Sequence, residues 1–251
     1  LDVQRTKVWE NLPGWFKQTY LPTVRFQLFR SLAPITEATV GEAVQKDGAD
    51  WVESLVNHTT ARFEGAPVYN EYGQRYFYYV MERDTSGAPF DVDWYATVND
   101  PSSGTVTNTY RDSGPAVAIQ ITKEWLYPAE TLTEGQLNYP AAWFELHRYW
   151  QSSDGLDVQD VLLKTVKIPS GSIASLAVIG MPSLLVTQDS AGKTLLRYAP
   201  DGTEYLYYVT EKPITGYQTD PASLRMDVTT WNPEHTQGEV TFQNTYTPGM
   251  K

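Results

Sequence analysis

Apolar and polar residues alternate with a period of two along most of this 251-residue chain. Val24, Phe26 and Leu28 are interleaved with Arg25, Gln27 and Phe29, the pattern of a strand with one face buried. Arg75-Tyr76-Phe77-Tyr78-Tyr79-Val80-Met81-Glu82 is dense in aromatic and β-branched residues, as is Thr105-Val106-Thr107-Asn108-Thr109-Tyr110. Arg111-Asp112-Ser113-Gly114-Pro115 then breaks the pattern and reads as a short linker. Residues 42–56 are ambiguous, fitting a helix or two short strands.

The same order of segments returns after the linker. Ile119-Gln120-Ile121-Thr122-Lys123-Glu124-Trp125 matches the opening strand around Thr6-Lys7-Val8-Trp9. Trp143-Phe144-Glu145-Leu146-His147-Arg148 matches Arg25-Phe26-Gln27-Leu28-Phe29-Arg30. The segments ending at Glu82 and Glu211 share Tyr-Tyr-Val-x-Glu, and the last strands share Asn-Thr-Tyr, at Asn108 and Asn244. Lysine and glutamate are separated by 75 residues in the first half and 88 in the second; glutamate and asparagine by 26 and 33. Preserved order with unequal spacing is what loops of different length on persistent strands produce. The expectation is an all-β chain of two tandem sandwich domains, residues 1–113 and 114–251.

On those strands three polar residues share a face with bulky apolar ones. Lys7 goes with Trp9 and Lys123 with Trp125. Glu82 goes with Val80 and Tyr78, and Glu211 with Val209 and Tyr207. Asn108 goes with Val106 and Tyr110, and Asn244 with Phe242 and Tyr246. If that face is the core, an amine, a carboxyl and a carboxamide are buried together. Burial disfavours charge, lowering a lysine pKa and raising that of a glutamic acid. A neutral amine is a nucleophile. A protonated carboxyl can polarise the asparagine oxygen and carry protons to the leaving nitrogen. The product is a Lys–Asn isopeptide bond with loss of ammonia, which removes an ionisable amine from the core.

Composition narrows the function classes. The formal net charge is −11, with 10 basic and 15 acidic residues up to Ser113 and 9 and 15 beyond it. An evenly acidic chain without basic clusters is a poor partner for nucleic acid or an anionic membrane. The absence of cysteine excludes disulfides, thiol catalysis and cysteine-based zinc sites. No apolar run is long enough to cross a bilayer. Leu1-Asp2-Val3-Gln4-Arg5 reads as mature sequence without a signal peptide, and the chain reads as a piece excised from something longer.

Thr-Lys-x-Trp at the start, Tyr-x-Val-x-Glu in the middle and Asn-Thr-Tyr at the end resemble the collagen-adhesin B-type (CnaB) domains of Gram-positive adhesins and pilins. The resemblance covers both halves. It implies inverse-immunoglobulin-like β-sandwiches, each with a self-formed bond between first and last strands: Lys7 to Asn108 promoted by Glu82, and Lys123 to Asn244 promoted by Glu211. Glu211 is followed by Pro213 and Gly216-Tyr217, as in that family; the first half departs from it after Glu82, with Arg83-Asp84-Thr85-Ser86-Gly87. The implied role is a stalk or pilus module at the cell surface. It reacts with itself once and is not a turnover enzyme; no cofactor or metal is implied, and the partners are other domains or subunits of the same assembly. A module binding host matrix or glycan through loops 36–60 or 173–186 is the alternative. A crosslinker of other proteins is disfavoured, since each trio has its partner within its own domain.

Taken singly, each of the six residues has an ordinary reading: a strand lysine snorkels, a terminal glutamate is solvated, and an asparagine makes turns. Recurrence of all three in one order, twice, is what favours the chemistry. His58, His147 and His235 are isolated and show no metal-ligand spacing. Asp91 and Asp93 form a lone Asp-x-Asp, a weak calcium signal. Asn57-His58-Thr59 is a glycosylation sequon without meaning in a bacterial protein. Leu21-Pro22-Thr23-Val24 lacks the glycine and tail of a sorting signal and reads as structural.

Overall fold

A computed structural model describes residues 1–36, 41–100, 103–127, 137–173 and 181–247. The chain divides into two compact units, Leu1–Arg111 with Pro200–Gly202, and Asp112–Ala199 with Thr203–Lys251. Among the described residues the only helical turn is the short 3-10 segment Gln18–Tyr20; everything else regular is strand. No helix among them is long and apolar enough to cross a membrane.

In the first unit the strands are β1 (Val3–Glu10), β2 (Arg25–Ser31), β3 (Glu42–Ala43), β4 (Gln45–Lys46), β5 (Ala49–Asp50), β6 (Val52–Ser54), β7 (Thr60–Phe63), β8 (Phe77–Arg83), β9 (Tyr95–Asp100) and β10 (Thr105–Tyr110). One sheet runs β7-β1-β10-β9; the other runs β3-β2-β6, with β8 also paired to β2. The first and last strands lie side by side and parallel, with Lys7 opposite Val106 and Trp9 opposite Asn108. Val3, Ala61, Phe63 and Val106 of one sheet meet Phe26, Leu28, Tyr78 and Val80 of the other in a single core. That is a sandwich.

Residues 42–56, read as a helix or two short strands, form four short strands instead. The β4–β5 hairpin turns on Asp47 and Gly48, with φ of 55° and 83°. Two successive residues in the left-handed region make a tight hairpin turn and cannot belong to a helix. Gln27 Nε2 donates to Asp50 Oδ2 at 2.6 Å, tying this hairpin to β2.

The second unit comprises β11 (Ala116–Leu126), β12 (Leu137–Tyr139), β13 (Ala142–Gln151), β14 (Val158–Ile168), β15 (Gly171–Ile173), β16 (Ser183–Val186), β17 (Leu195–Leu196), β18 (Leu206–Glu211), β19 (Tyr217–Asp220), β20 (Arg225–Asp227), β21 (Thr230–Trp231) and β22 (Gln237–Tyr246). One sheet runs β16-β11-β22-β19, with β17 on β11 and β21 on β22; the facing sheet runs β14-β13-β18-β20. Phe144 of β13 and Phe242 of β22 pack across the gap, ring centroids 5.3 Å apart.

The two units share their register as well as their order. Phe26 opposes Glu82 and Leu28 opposes Val80; Phe144 opposes Glu211 and Leu146 opposes Val209. Trp9 opposes Asn108, and Trp125 opposes Asn244, again in a parallel pair. Arg30 lies over the Tyr76 ring at 4.4 Å and Arg148 over Tyr205 at 4.3 Å. The repeat seen in the sequence is a repeat of strand pairing.

Candidate functional site

Each unit buries a lysine, a glutamate and an asparagine from three different strands. Pleating sets this up: β1 and β11 turn Lys7 and Lys123 into the sandwich, β8 and β18 turn Glu82 and Glu211 toward them, and β10 and β22 add Asn108 and Asn244. Lys123, Asn108 and Asn244 are fully buried at 0% exposure, and Lys7, Glu82 and Glu211 are at 3%, 8% and 3%. Lys7 Nζ lies 3.2 Å from Glu82 Oε1 and 3.4 Å from Oε2, and Asn108 Nδ2 donates to Oε1 at 3.2 Å. In the second unit Lys123 Nζ lies 3.0 and 3.1 Å from the two Glu211 oxygens, and Asn244 Nδ2 donates to Oε1 at 3.0 Å. All six predicted residues therefore converge as two trios, with the glutamate as the hub of each.

Burial governs their protonation. Desolvation outweighs the nearby glutamate and lowers both lysines from 10.5 to about 8. Desolvation likewise raises Glu82 and Glu211, against the opposing pull of the lysine and of the asparagine hydrogen bond. Both shifts favour the uncharged amine beside the uncharged acid. A buried ion pair is a costly arrangement, and a proton passing from lysine to glutamate removes both charges together.

Two further features were not legible in the sequence. The glutamate faces the nitrogen of each carboxamide, where the sequence argument expected it to polarise the oxygen; Asn108 Oδ1 and Asn244 Oδ1 are buried and unpaired. The Trp9 and Trp125 rings cover the amines, with Nζ 4.3 and 4.9 Å from the ring centroids, and both indole Nε1 atoms are buried and unpaired. An unpaired buried polar group costs about 1–3 kcal/mol. Around the first trio Trp9 packs edge-on to Tyr95 and Phe90; around the second Trp125 stacks on Tyr139 and meets Tyr217 edge-on.

The other sequence features fall elsewhere. His147 stacks on Tyr208 and His235 on Trp231, and no group of three or more metal-ligating side chains occurs among the described residues. Leu21 and Val24 are core residues. Asn57 and His58 form a turn at positive φ. Of the loops considered for ligand binding, residues 37–40 and 174–180 lie outside the described residues, and 42–54 are the short strands around β2.

The fold and site define a class: tandem β-sandwiches, each enclosing a lysine–glutamate–asparagine trio between its sheets. No family model matches the sequence, and no curated protein matches it. Solved structures do. Two B repeat units of the collagen-binding protein of Staphylococcus aureus match at 18% identity and a TM-score of 0.39, covering 99% of this chain and 50% of theirs. This chain thus spans half the length of that structure. A single B repeat unit of the same protein matches at 17% identity and a TM-score of 0.28, over 99% of both chains. The major pilin from Streptococcus pyogenes matches at 11% identity and a TM-score of 0.35, over 98% of both chains.

Proposed function

We propose that each trio forms an intramolecular isopeptide bond, Lys7 to Asn108 and Lys123 to Asn244, and that the chain is a tension-bearing stalk or pilus module of a Gram-positive surface protein. The observation that carries this reading is the twofold burial of an amine, a carboxyl and a carboxamide in contact, in one strand register. Each glutamate accepts the lysine proton, which frees the amine to attack the asparagine Cγ. It then delivers a proton to Nδ2, and ammonia leaves. Holding the reactants on adjacent parallel strands supplies the advantage of an intramolecular reaction.

A bond between first and last strands carries a pull on the unit from one end to the other past its hydrogen-bonded ladders. The chemistry occurs once per domain, so the glutamates are catalysts of their own unit's maturation and the module is not a turnover enzyme. Partners under this reading are neighbouring domains or subunits of the same surface assembly, anchored to the cell wall through another region. Proteolysis and fragment mass spectrometry test it: the expected products are two branched peptides, one joining the Lys7 and Asn108 segments and one joining the Lys123 and Asn244 segments. Recovery of all four segments as linear peptides alone would overturn the reading.

A further inference from the structure

We propose that the indole N–H of Trp9, and of Trp125 in the second unit, is the hydrogen-bond donor to the oxygen that becomes negative while the bond forms. This rests on the isopeptide reading and assigns a role it leaves vacant. When the lysine nitrogen attacks Cγ, the amide oxygen takes up the electron pair of the C=O bond, and the intermediate carries O⁻ beside a positively charged new nitrogen. The glutamic acid gives its proton to Nδ2 and recovers one from the new nitrogen. The C–N bond to Nδ2 breaks, the C=O re-forms and ammonia departs. Throughout these transfers the carboxyl serves the nitrogens, which is where the geometry puts it: within 3.2 Å of Asn108 Nδ2 and within 3.0 Å of Asn244 Nδ2. The oxygen needs a different donor.

Each site has one buried acceptor and one buried donor without partners among the described residues. The acceptor is Asn108 Oδ1 or Asn244 Oδ1, and the donor is Trp9 Nε1 or Trp125 Nε1. They are neighbours by construction, because Trp9 is the register partner of Asn108 and Trp125 that of Asn244. Register partners on adjacent strands point their side chains to the same face about 5 Å apart. The two groups are not hydrogen-bonded in the ground state. A donor that stabilises a transition state is aimed at the position the oxyanion will occupy, not at the planar carbonyl oxygen. A phenylalanine would fill the same wall without burying an unpaired donor, yet both units keep tryptophan at this position.

The test is a time course of cell-free synthesis of the full chain, quenched in acidic denaturant and read by intact mass. Replacing Trp9 by its benzothienyl isostere, with sulfur in place of N–H and the ring otherwise retained, is expected to slow ammonia loss from the first unit about a hundredfold, the usual effect of deleting one oxyanion donor. The second unit should react at its native rate. The same replacement at Trp125 should reverse the pattern. Thermal melting of the Glu82→Ala chain, with Trp9 present or replaced by the isostere, separates catalysis from folding: the expected melting temperature is unchanged or higher. A native rate with the isostere, or a slowing matched by a loss of stability in the Glu82→Ala background, would overturn the proposal. If the unsubstituted chain never loses ammonia, the isopeptide reading itself fails, and that outcome is distinct from both.

Discussion

A lysine amine enclosed by a carboxylate, a carboxamide and an indole has two ways to shed its charge: hand the proton to the acid, or lose the amine altogether. Under the proposed bonding, Asn108→Ala keeps the amine free, so its titration becomes visible in stability. The folded chain releases the Lys7 proton at about 8 while the unfolded chain keeps it to about 10.5. The unfolded state thus binds more protons in that window, and stability rises with pH across it by about 1–3 kcal/mol. Urea midpoints of Asn108→Ala relative to the unsubstituted chain, followed from pH 7 to 10, should converge as pH rises; a constant gap would contradict the expected titration. Lysine, glutamate and asparagine were legible in the sequence because period-2 spacing puts each beside a buried neighbour, as with Glu82 beside Val80. The facing of the carboxamide nitrogen and the unpaired indole N–H were not, because both depend on side-chain torsions that spacing does not encode. Tyr207 was legible as a neighbour of Glu211 on one strand face, but the hydrogen bond its hydroxyl donates to Leu196 O at 2.6 Å was not.

At the scale of elements, strands with matched counterparts were readable and isolated ones were not. β8 and β18 share Tyr-Tyr-Val-x-Glu, and each unit's reading supported the other. β14 has no long equivalent in the first unit, and only its second half, with Leu163, Val166 and Ile168, is buried, although it pairs with β13 along most of its length. Residues 42–56 stayed ambiguous because their turn rests on Asp47 and Gly48 at positive φ, a backbone feature that apolar periodicity does not report. Core strands should respond steeply to truncation. Leu146→Ala on β13, at a position of 0% exposure opposite Val209, is expected to cost about 2–5 kcal/mol. Leu206→Ala on β18, at 61% exposure, should change stability by less than about 0.5 kcal/mol. Urea unfolding of the second unit in both variants checks the contrast, and similar costs at the two positions would contradict the assignment of inner and outer faces.

For the molecule as a whole, the two proposed bonds between first and last strands would change what unfolding means. Closing a loop of about 100 residues in the unfolded chain stabilises a unit by about 4–5 kcal/mol in the entropy model used for disulfides. Force spectroscopy should find that the segment between the joined residues never extends in the native chain. With Asn108→Ala the first unit should release that segment, about 330–360 Å of contour for about 100 residues. The most direct measurement is the intact mass of the purified full chain beside Glu82→Ala and Glu211→Ala. The account predicts a native chain lighter than the encoded sequence by two ammonia molecules, and each variant lighter by one. A native mass equal to that of the encoded sequence would contradict it.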